Sequence, residues 1–192
     1  MIIGITGTIG SGKTTVANLF KKHGFEVINA DELYRKISKP NETIYKKIVR
    51  EFGNKILNDD NSINRVELKK IVFSDSKKLK NLNSITHPTI ISEIKKSIKK
   101  SKNKNIVVDA PLLLESSAKN LVDMIIVVKC GDDARIQRLL KKGKHTKKQI
   151  EKITKSQMPT KEKLKFADFV IDNSGSLAET EEQVKKQLKN FK

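Results

Sequence analysis

Met1-Ile2-Ile3-Gly4-Ile5-Thr6-Gly7-Thr8-Ile9-Gly10-Ser11-Gly12-Lys13-Thr14-Thr15 opens the chain with an apolar run, a glycine-rich turn and the start of a helix. Residues 2–6 are expected to form a buried strand, and residues from about 13 to 22 a helix. Between them, Gly7 to Thr14 satisfies G-x-x-x-x-G-K-[ST] in the context where that pattern carries meaning, after a strand and before a helix. The glycines let the backbone wrap a phosphate so that successive N–H groups point inward, and the helix start adds partial positive charge. On this reading Thr8, Ile9, Gly10, Ser11, Gly12, Lys13, Thr14 and Thr15 bind a nucleoside triphosphate. Lys13 reaches the β- and γ-phosphates, and Thr14 offers its hydroxyl to Mg2+. A turn that merely joined strand to helix would not need that lysine and hydroxyl at a fixed offset.

Farther along, apolar β-rich runs at Phe25 to Asn29, Asn105 to Asp109, Met124 to Lys129 and Asp168 to Asp172 are bounded by polar turns and separated by helical patterns. Strands alternating with helices indicate a doubly wound α/β fold, a parallel five-stranded sheet flanked by helices, with the phosphate loop (P-loop) after its first strand. A final amphipathic helix is expected from Leu177, with Val184, Leu188 and Phe191 on one face. Residues 41–100, approximately, lack strand signal. There Ile44, Ile48, Leu68, Ile71, Val72, Leu79, Leu82, Ile90, Ile91 and Ile94 recur at helical spacing, which predicts a helical insertion. Residues 141–165 hold ten lysines against Glu151 and Glu162, with Ile150, Ile153 and Leu164 at weak helical period. They form either a solvated helical hairpin or a mobile cationic lid over phosphates. The single domain thus divides into a core (1–40, 101–140, 166–192), the insertion and the lid.

With 36% hydrophobic and 32% charged residues, the composition excludes a disordered or fibrous chain. One cysteine, Cys130, excludes a disulfide framework and a cysteine-built zinc site. No apolar run approaches the ~18 residues of a membrane span, so a cytoplasmic protein without membrane partners is expected. The net charge of +18 comes from 35 lysines and only five arginines, a skew that resembles compositional bias as much as a binding surface. A nucleic-acid surface would interleave aromatics with the basic residues. Residues 141–165 contain none, so no specific nucleic-acid partner is expected.

The acceptor of the γ-phosphoryl group decides the enzyme class. A GTPase would carry N-K-x-D and D-x-x-G motifs; Asn54-Lys55 and Asn103-Lys104 are both followed by the wrong residues. That leaves a small-molecule kinase, which needs a carboxylate to organise metal and a residue to orient the attacking hydroxyl. Asp109 closes the run Ile106-Val107-Val108, the place for a carboxylate serving Mg2+, or else for a turn cap. Asp31 follows the second strand, at the sheet edge where such folds bind ligands. It serves equally as a general base or as the cap of a helix beginning at Glu32.

Taken in order, Gly4-Ile5-Thr6-Gly7, Val27-Ile28-Asn29-Ala30-Asp31 with Arg35, Phe52-Gly53, Arg65 with Leu68 and Phe73, Leu82-Asn83, His87-Pro88, Pro111-Leu112-Leu113-Leu114-Glu115, Gln157 and Ala167 to Asn173 resemble the dephospho-coenzyme A kinase family nearly end to end. The resemblance implies that ATP phosphorylates the ribose 3′-hydroxyl of dephospho-coenzyme A, giving coenzyme A and ADP. It implies that Asp31 activates that hydroxyl, that Arg35, Arg65, His87 and Leu113 line the acceptor side, that Arg138 meets the transferring phosphoryl charge, and that Asn173 lies near adenine. His87 without the family would be a helix-start residue beside Pro88. Two positions depart from the pattern: Asn29 stands where the family usually has Asp, and Lys142 where a second arginine is common. An adenylate kinase or another nucleotide kinase is the rival enzyme, disfavoured by the missing loop proline and the scarcity of arginines. A basic P-loop ATPase on nucleic acid is the rival from another class. A monomer or small homo-oligomer is expected.

Overall fold

The computed structural model describes residues 1–143 and 146–190. Five strands, β1 (Ile2–Thr6), β2 (Glu26–Asn29), β3 (Ile106–Asp109), β4 (Met124–Lys129) and β5 (Phe169–Asp172), pair in the order β2-β3-β1-β4-β5. Every pairing is parallel. A parallel sheet is covered on both faces by its crossovers, which is why its strands read as unbroken apolar runs. Accordingly Ile3, Ile5, Val107, Ile126, Val128 and Ile171 are wholly buried. They share one core with Val16, Ala17, Leu19 and Phe20 of α1 (Lys13–Lys22) and Val184 of α9 (Leu177–Asn190). Phe191, expected to extend the α9 face, lies outside the described residues, as do Lys144 and His145 of the lysine-rich stretch.

The strand order positions the chemistry. β3 sits between β1 and β2, and its register sets Asp109 opposite Ile5 on one side and Asn29 on the other. The glycine-rich loop leaves the carboxyl end of the central strand beside this carboxylate.

Internal packing divides the chain into two units: Met1–Asn29 with the chain from Ile98 onward, and Ala30–Ser97. The second is helical, as the 41–100 pattern implies, and holds α2 (Ala30–Ile37), α3 (Thr43–Phe52), α4 (Arg65–Ser74) and most of α5 (Ser76–Lys100). It takes in α2 because Tyr34 and Ile37 pack on its own core of Ile44, Ile48, Phe52, Ile56, Ile63, Leu68 and Val72. Two local expectations change. α2 begins at Ala30, not Glu32, so Asp31 lies inside the first turn rather than ahead of it. His87 and Pro88 lie within α5, not at a helix start. The fixed φ of proline is already a helical value, so the helix continues past it with one N–H missing.

In the first unit, α6 (Asp132–Lys141), α7 (Lys147–Lys155) and α8 (Thr160–Leu164) follow β4. Thr146 and Gln149 start α7 with a reciprocal capping box. Ile150, Ile153 and Lys163 are buried, so this stretch is anchored on the fold and not a fully solvated hairpin.

Candidate active site

The loop from Gly7 to Thr14 is shaped by backbone geometry that its glycines permit. Ser11 N–H donates to Thr8 O at 3.1 Å, closing a turn in which Gly10 takes φ +81°. Gly12 caps α1 at φ +95°, and a Cβ there would collide with the Asn173 side-chain amide. α1 starts at Lys13, so the first-turn N–H groups have no intrahelical acceptor and the positive end of the helix lies at the loop. Lys13 is 8% exposed, and its ammonium donates to Thr8 O at 3.1 Å. The Ser11 hydroxyl is fully buried and, among the described residues, has no hydrogen-bond partner. A buried polar atom left open costs stability unless a ligand or water completes it. This one lies in the loop that would hold phosphates.

Asp109 is 2% exposed. One of its oxygens, Oδ2, accepts from the Thr14 hydroxyl at 2.9 Å and from the Asn29 side-chain amide at 2.9 Å. Parallel register explains the second contact, since Asn29 and Asp109 are partners across β2 and β3. Mg2+ suits this set: it keeps several waters and takes one or two carboxylate or hydroxyl oxygens plus substrate phosphates, without a cage of protein ligands. Among the described residues no group of three or more His, Cys, Asp or Glu side chains is placed to hold a metal.

Three side chains, Asn173, Arg135 and Gln157, hold the loop from outside. Asn173, 6% exposed, donates through Nδ2 to Ser11 O at 2.8 Å and accepts at Oδ1 from the Thr180 hydroxyl at 2.9 Å. Its amide is thus committed to bracing the loop. Arg138 donates to the Asn173 carbonyl at 2.6 Å and the Gly175 carbonyl at 3.4 Å, so its guanidinium faces the β5–α9 connection. Arg135 and Gln157 grip Ile9. The first was absent from the sequence reading. Its signal, a single arginine three residues before Arg138 in a lysine-rich chain, is legible only once α6 is seen beside the loop.

A buried ion pair fixes the end of the lysine-rich stretch. Lys163, with no exposed side-chain surface, donates to both oxygens of Glu115 at 2.8 and 3.0 Å and to Pro111 O at 3.2 Å. Glu115 also accepts from Met158 N–H. The composition hid this lysine among nine others.

Of the acceptor residues, Asp31, Arg35, Arg65 and His87 belong to the Ala30–Ser97 unit. Asp31 is exposed, and among the described residues its carboxylate has no hydrogen-bond or ion-pair partner. A helix cap would need such a bond. Arg65 lies over the Tyr34 ring, 4.8 Å from its centroid, and donates to the Ser38 hydroxyl at 2.7 Å. Burial pushes the Tyr34 hydroxyl above its ordinary pKa, with Arg65 pulling the other way. Leu113 is corrected: it is fully buried in the space that Gly4 leaves by lacking a Cβ, and belongs to the core of the first unit rather than to a ligand surface.

A triphosphate loop at the end of a central parallel strand, with a hydroxyl–carboxylate pair beside it and no N-K-x-D guanine-reading motif in the chain, places the protein among the P-loop small-molecule kinases. Comparison with known proteins narrows this. The family model described as "CoaE: Dephospho-CoA kinase" matches residues 1–179. A dephospho-CoA kinase of Carboxydothermus hydrogenoformans is 42% identical over 194 residues, covering 100% of this chain and 94% of the relative. That of Aquifex aeolicus is 40% identical over 185 residues, covering 96% of this chain and 94% of the relative. The solved structure of dephospho-CoA kinase from Campylobacter jejuni aligns with a TM-score of 0.69 at 30% identity, over 99% of this chain and 96% of that one. The chain belongs to the dephospho-CoA kinase family.

Proposed function

We propose that this enzyme transfers the γ-phosphoryl group of ATP to the ribose 3′-hydroxyl of dephospho-coenzyme A, releasing coenzyme A and ADP, the last step of coenzyme A synthesis. The observation that carries the site assignment is the shared Asp109 oxygen, on which the Thr14 hydroxyl and the Asn29 amide converge beside the glycine-rich loop. The loop N–H groups and Lys13 hold the phosphates; Lys13 leaves the Thr8 carbonyl to meet the β- and γ-oxygens as charge spreads over them. Thr14 and Asp109 would hold Mg2+, which neutralises phosphate charge when bound.

Asp31 takes the 3′-hydroxyl proton as the oxygen attacks the γ-phosphorus, and the bond from that phosphorus to the bridging β–γ oxygen breaks, leaving ADP. The exposed carboxylate, without a hydrogen-bond or ion-pair partner among the described residues, supports this role over the cap. Arg65, preorganised by Tyr34 and Ser38, and Arg35 bind the phosphates of the acceptor, and His87 completes that side. Arg138 reaches transferring charge only by exchanging its Asn173 carbonyl for a phosphate oxygen; as it stands it orders the connection near adenine. Among the described residues no helix is long and apolar enough to cross a membrane. Free Cys130 agrees with a reducing cytoplasmic setting.

The test is a panel of acceptors with ATP and Mg2+, read as ADP release and product mass. Dephospho-coenzyme A alone should gain one phosphoryl group. Transfer to AMP or to a free nucleoside at comparable rate would sink the proposal.

A further inference from the structure

The turn closed by Ser11 N–H and Thr8 O has Ile9 and Gly10 at its centre, with Gly10 at φ +81°. A positive φ at that position is the mark of a type II turn. Type I and type II turns differ by inversion of the central peptide, here the one joining Ile9 to Gly10. With glycine at the third position both orientations are sterically open. The inversion decides where the Gly10 N–H points, because in a trans peptide it lies opposite the Ile9 carbonyl. The loop's own sequence does not choose between them.

The choice is made from α6 and α7. Arg135 Nη1 donates to Ile9 O at 3.2 Å and to the Thr154 hydroxyl at 3.0 Å, and Thr154 in turn donates to Ile150 O at 2.8 Å. The other edge of the guanidinium is held by Asp132 Oδ1 at 2.9 and 3.1 Å. The arginine is 4% exposed and its stem lies against Gly10, where a Cβ would meet Arg135 Cγ at 3.0 Å. Gln157 Oε1 accepts from Ile9 N–H at 2.9 Å. Both backbone polar groups of Ile9 are therefore taken by side chains of residues 135–157.

We infer that Arg135, seconded by Gln157, is a positioning residue for the nucleotide. By holding the Ile9 carbonyl it fixes the Ile9–Gly10 peptide in the orientation that turns the Gly10 N–H away from α6 and toward the triphosphate. The inference rests on the reading of the loop as the ATP site. It makes nucleotide affinity depend on the lysine-rich segment through the loop's shape, whether or not a lysine there touches phosphate. Lysine cannot replace the arginine, since one ammonium cannot hold Ile9, Thr154 and Asp132 in a planar fork.

The experiment measures binding of a non-hydrolysable ATP analogue, together with KM for ATP and for dephospho-coenzyme A, in wild type, Arg135→Lys and Gln157→Leu. Arg135→Lys should weaken analogue binding and raise KM for ATP about tenfold or more, as loss of a charged hydrogen bond implies. KM for the acceptor should stay put, and Gln157→Leu should shift the ATP terms the same way by a smaller factor. In wild type the Gly10 amide resonance should move on adding the analogue, and move less in Arg135→Lys. A lower melting temperature with both KM values unchanged would make Arg135 merely structural and overturn the proposal. If Arg135→Lys fails to fold, an unchanged KM for ATP in Gln157→Leu overturns it instead. Wild type that binds no analogue at all would overturn the ATP-site reading beneath it.

Discussion

Lys13 is 8% exposed with its ammonium already bonded to Thr8, whereas Asp31 is exposed and, among the described residues, bonded to nothing. The contrast extends around each residue. The phosphate loop is held by Asn173, Arg135 and Gln157 on its backbone, and by Asn29 and Thr14 on the carboxylate next to it. On the acceptor side Asp31 and Arg35 are exposed, while Arg65 is held by the Tyr34 ring and the Ser38 hydroxyl. A phosphate needs the same ring of donors in every protein that binds it, so the fold builds that ring in advance. Asp31 and Arg35 are left for the ligand to organise. Damage should therefore look different: losing one of the side chains that brace the loop changes affinity and shape, whereas losing Asp31 changes chemistry with the fold untouched.

The largest expected effect tests the acceptor side. Asp31→Asn should lower kcat by roughly 10²–10⁴-fold, the range for a lost general base, with KM for ATP and the thermal melt little changed. A fall under tenfold accompanied by lost stability would restore the cap reading and erase the contrast. Lys13→Ala comes next, with a loss of about 10²–10³-fold in kcat from the missing electrostatic donor. Circular dichroism should remain that of the wild type. Near-normal turnover would break the phosphate-site assignment.

Glu115→Gln sharpens the comparison from the stability side, because it leaves the fully buried Lys163 ammonium without its charge partner. Breaking such a pair costs ~3 kcal/mol or more. A urea melt should show that loss, while the turnover of the molecules still folded changes much less than in Asp31→Asn. The smallest effect lies in the acid limb. Asp172 has its carboxyl pulled down to about 2 by Ser174 hydrogen bonds first and the Lys129 ammonium second. A carboxyl whose folded pKa is depressed stabilises the fold fully above its unfolded value near 3.8 and loses that contribution as pH falls toward about 2. Asp172→Asn should flatten the melting temperature between about pH 4 and pH 2, lowering it slightly at pH 7 and leaving it unchanged near pH 2. The shift will be small, since the side chain is 42% exposed and solvent screens it.

The same asymmetry explains what could be read without a structure. Strands β1 to β5 and the loop were legible, because a doubly covered strand writes itself as an apolar run and a phosphate loop as glycines with Lys13 and Thr14 at fixed offsets. The family pattern proposes Arg35, Arg65 and His87 as acceptor residues, which no periodicity would single out, while Asp31 is marked also by its place after β2. Hidden were contacts made across the sequence. Leu113 reads as part of a site motif but fills the gap over Gly4, and only β1 lying beside the segment after β3 reveals that. Lys163 and Arg135 carry ordinary charges in a lysine-rich stretch. Their burial depends on where Glu115 and Ile9 end up, which local pattern does not encode.

β3 enters the sheet between two strands that precede it in the chain, with residues 30–105 lying between β2 and β3. The centre of the sheet cannot zip up locally; a long excursion must be closed before β1, β2 and β3 share their hydrogen bonds. Loop-closure entropy and high sequence separation both slow such a step. A helical excursion with its own apolar core, as Ala30–Ser97 has, shortens the effective loop if it collapses first. In pulsed hydrogen exchange during refolding, amides of α3 and α4 should accordingly gain protection ahead of those of β3, so that a helical unit collapsing on its own core brings the central strand home.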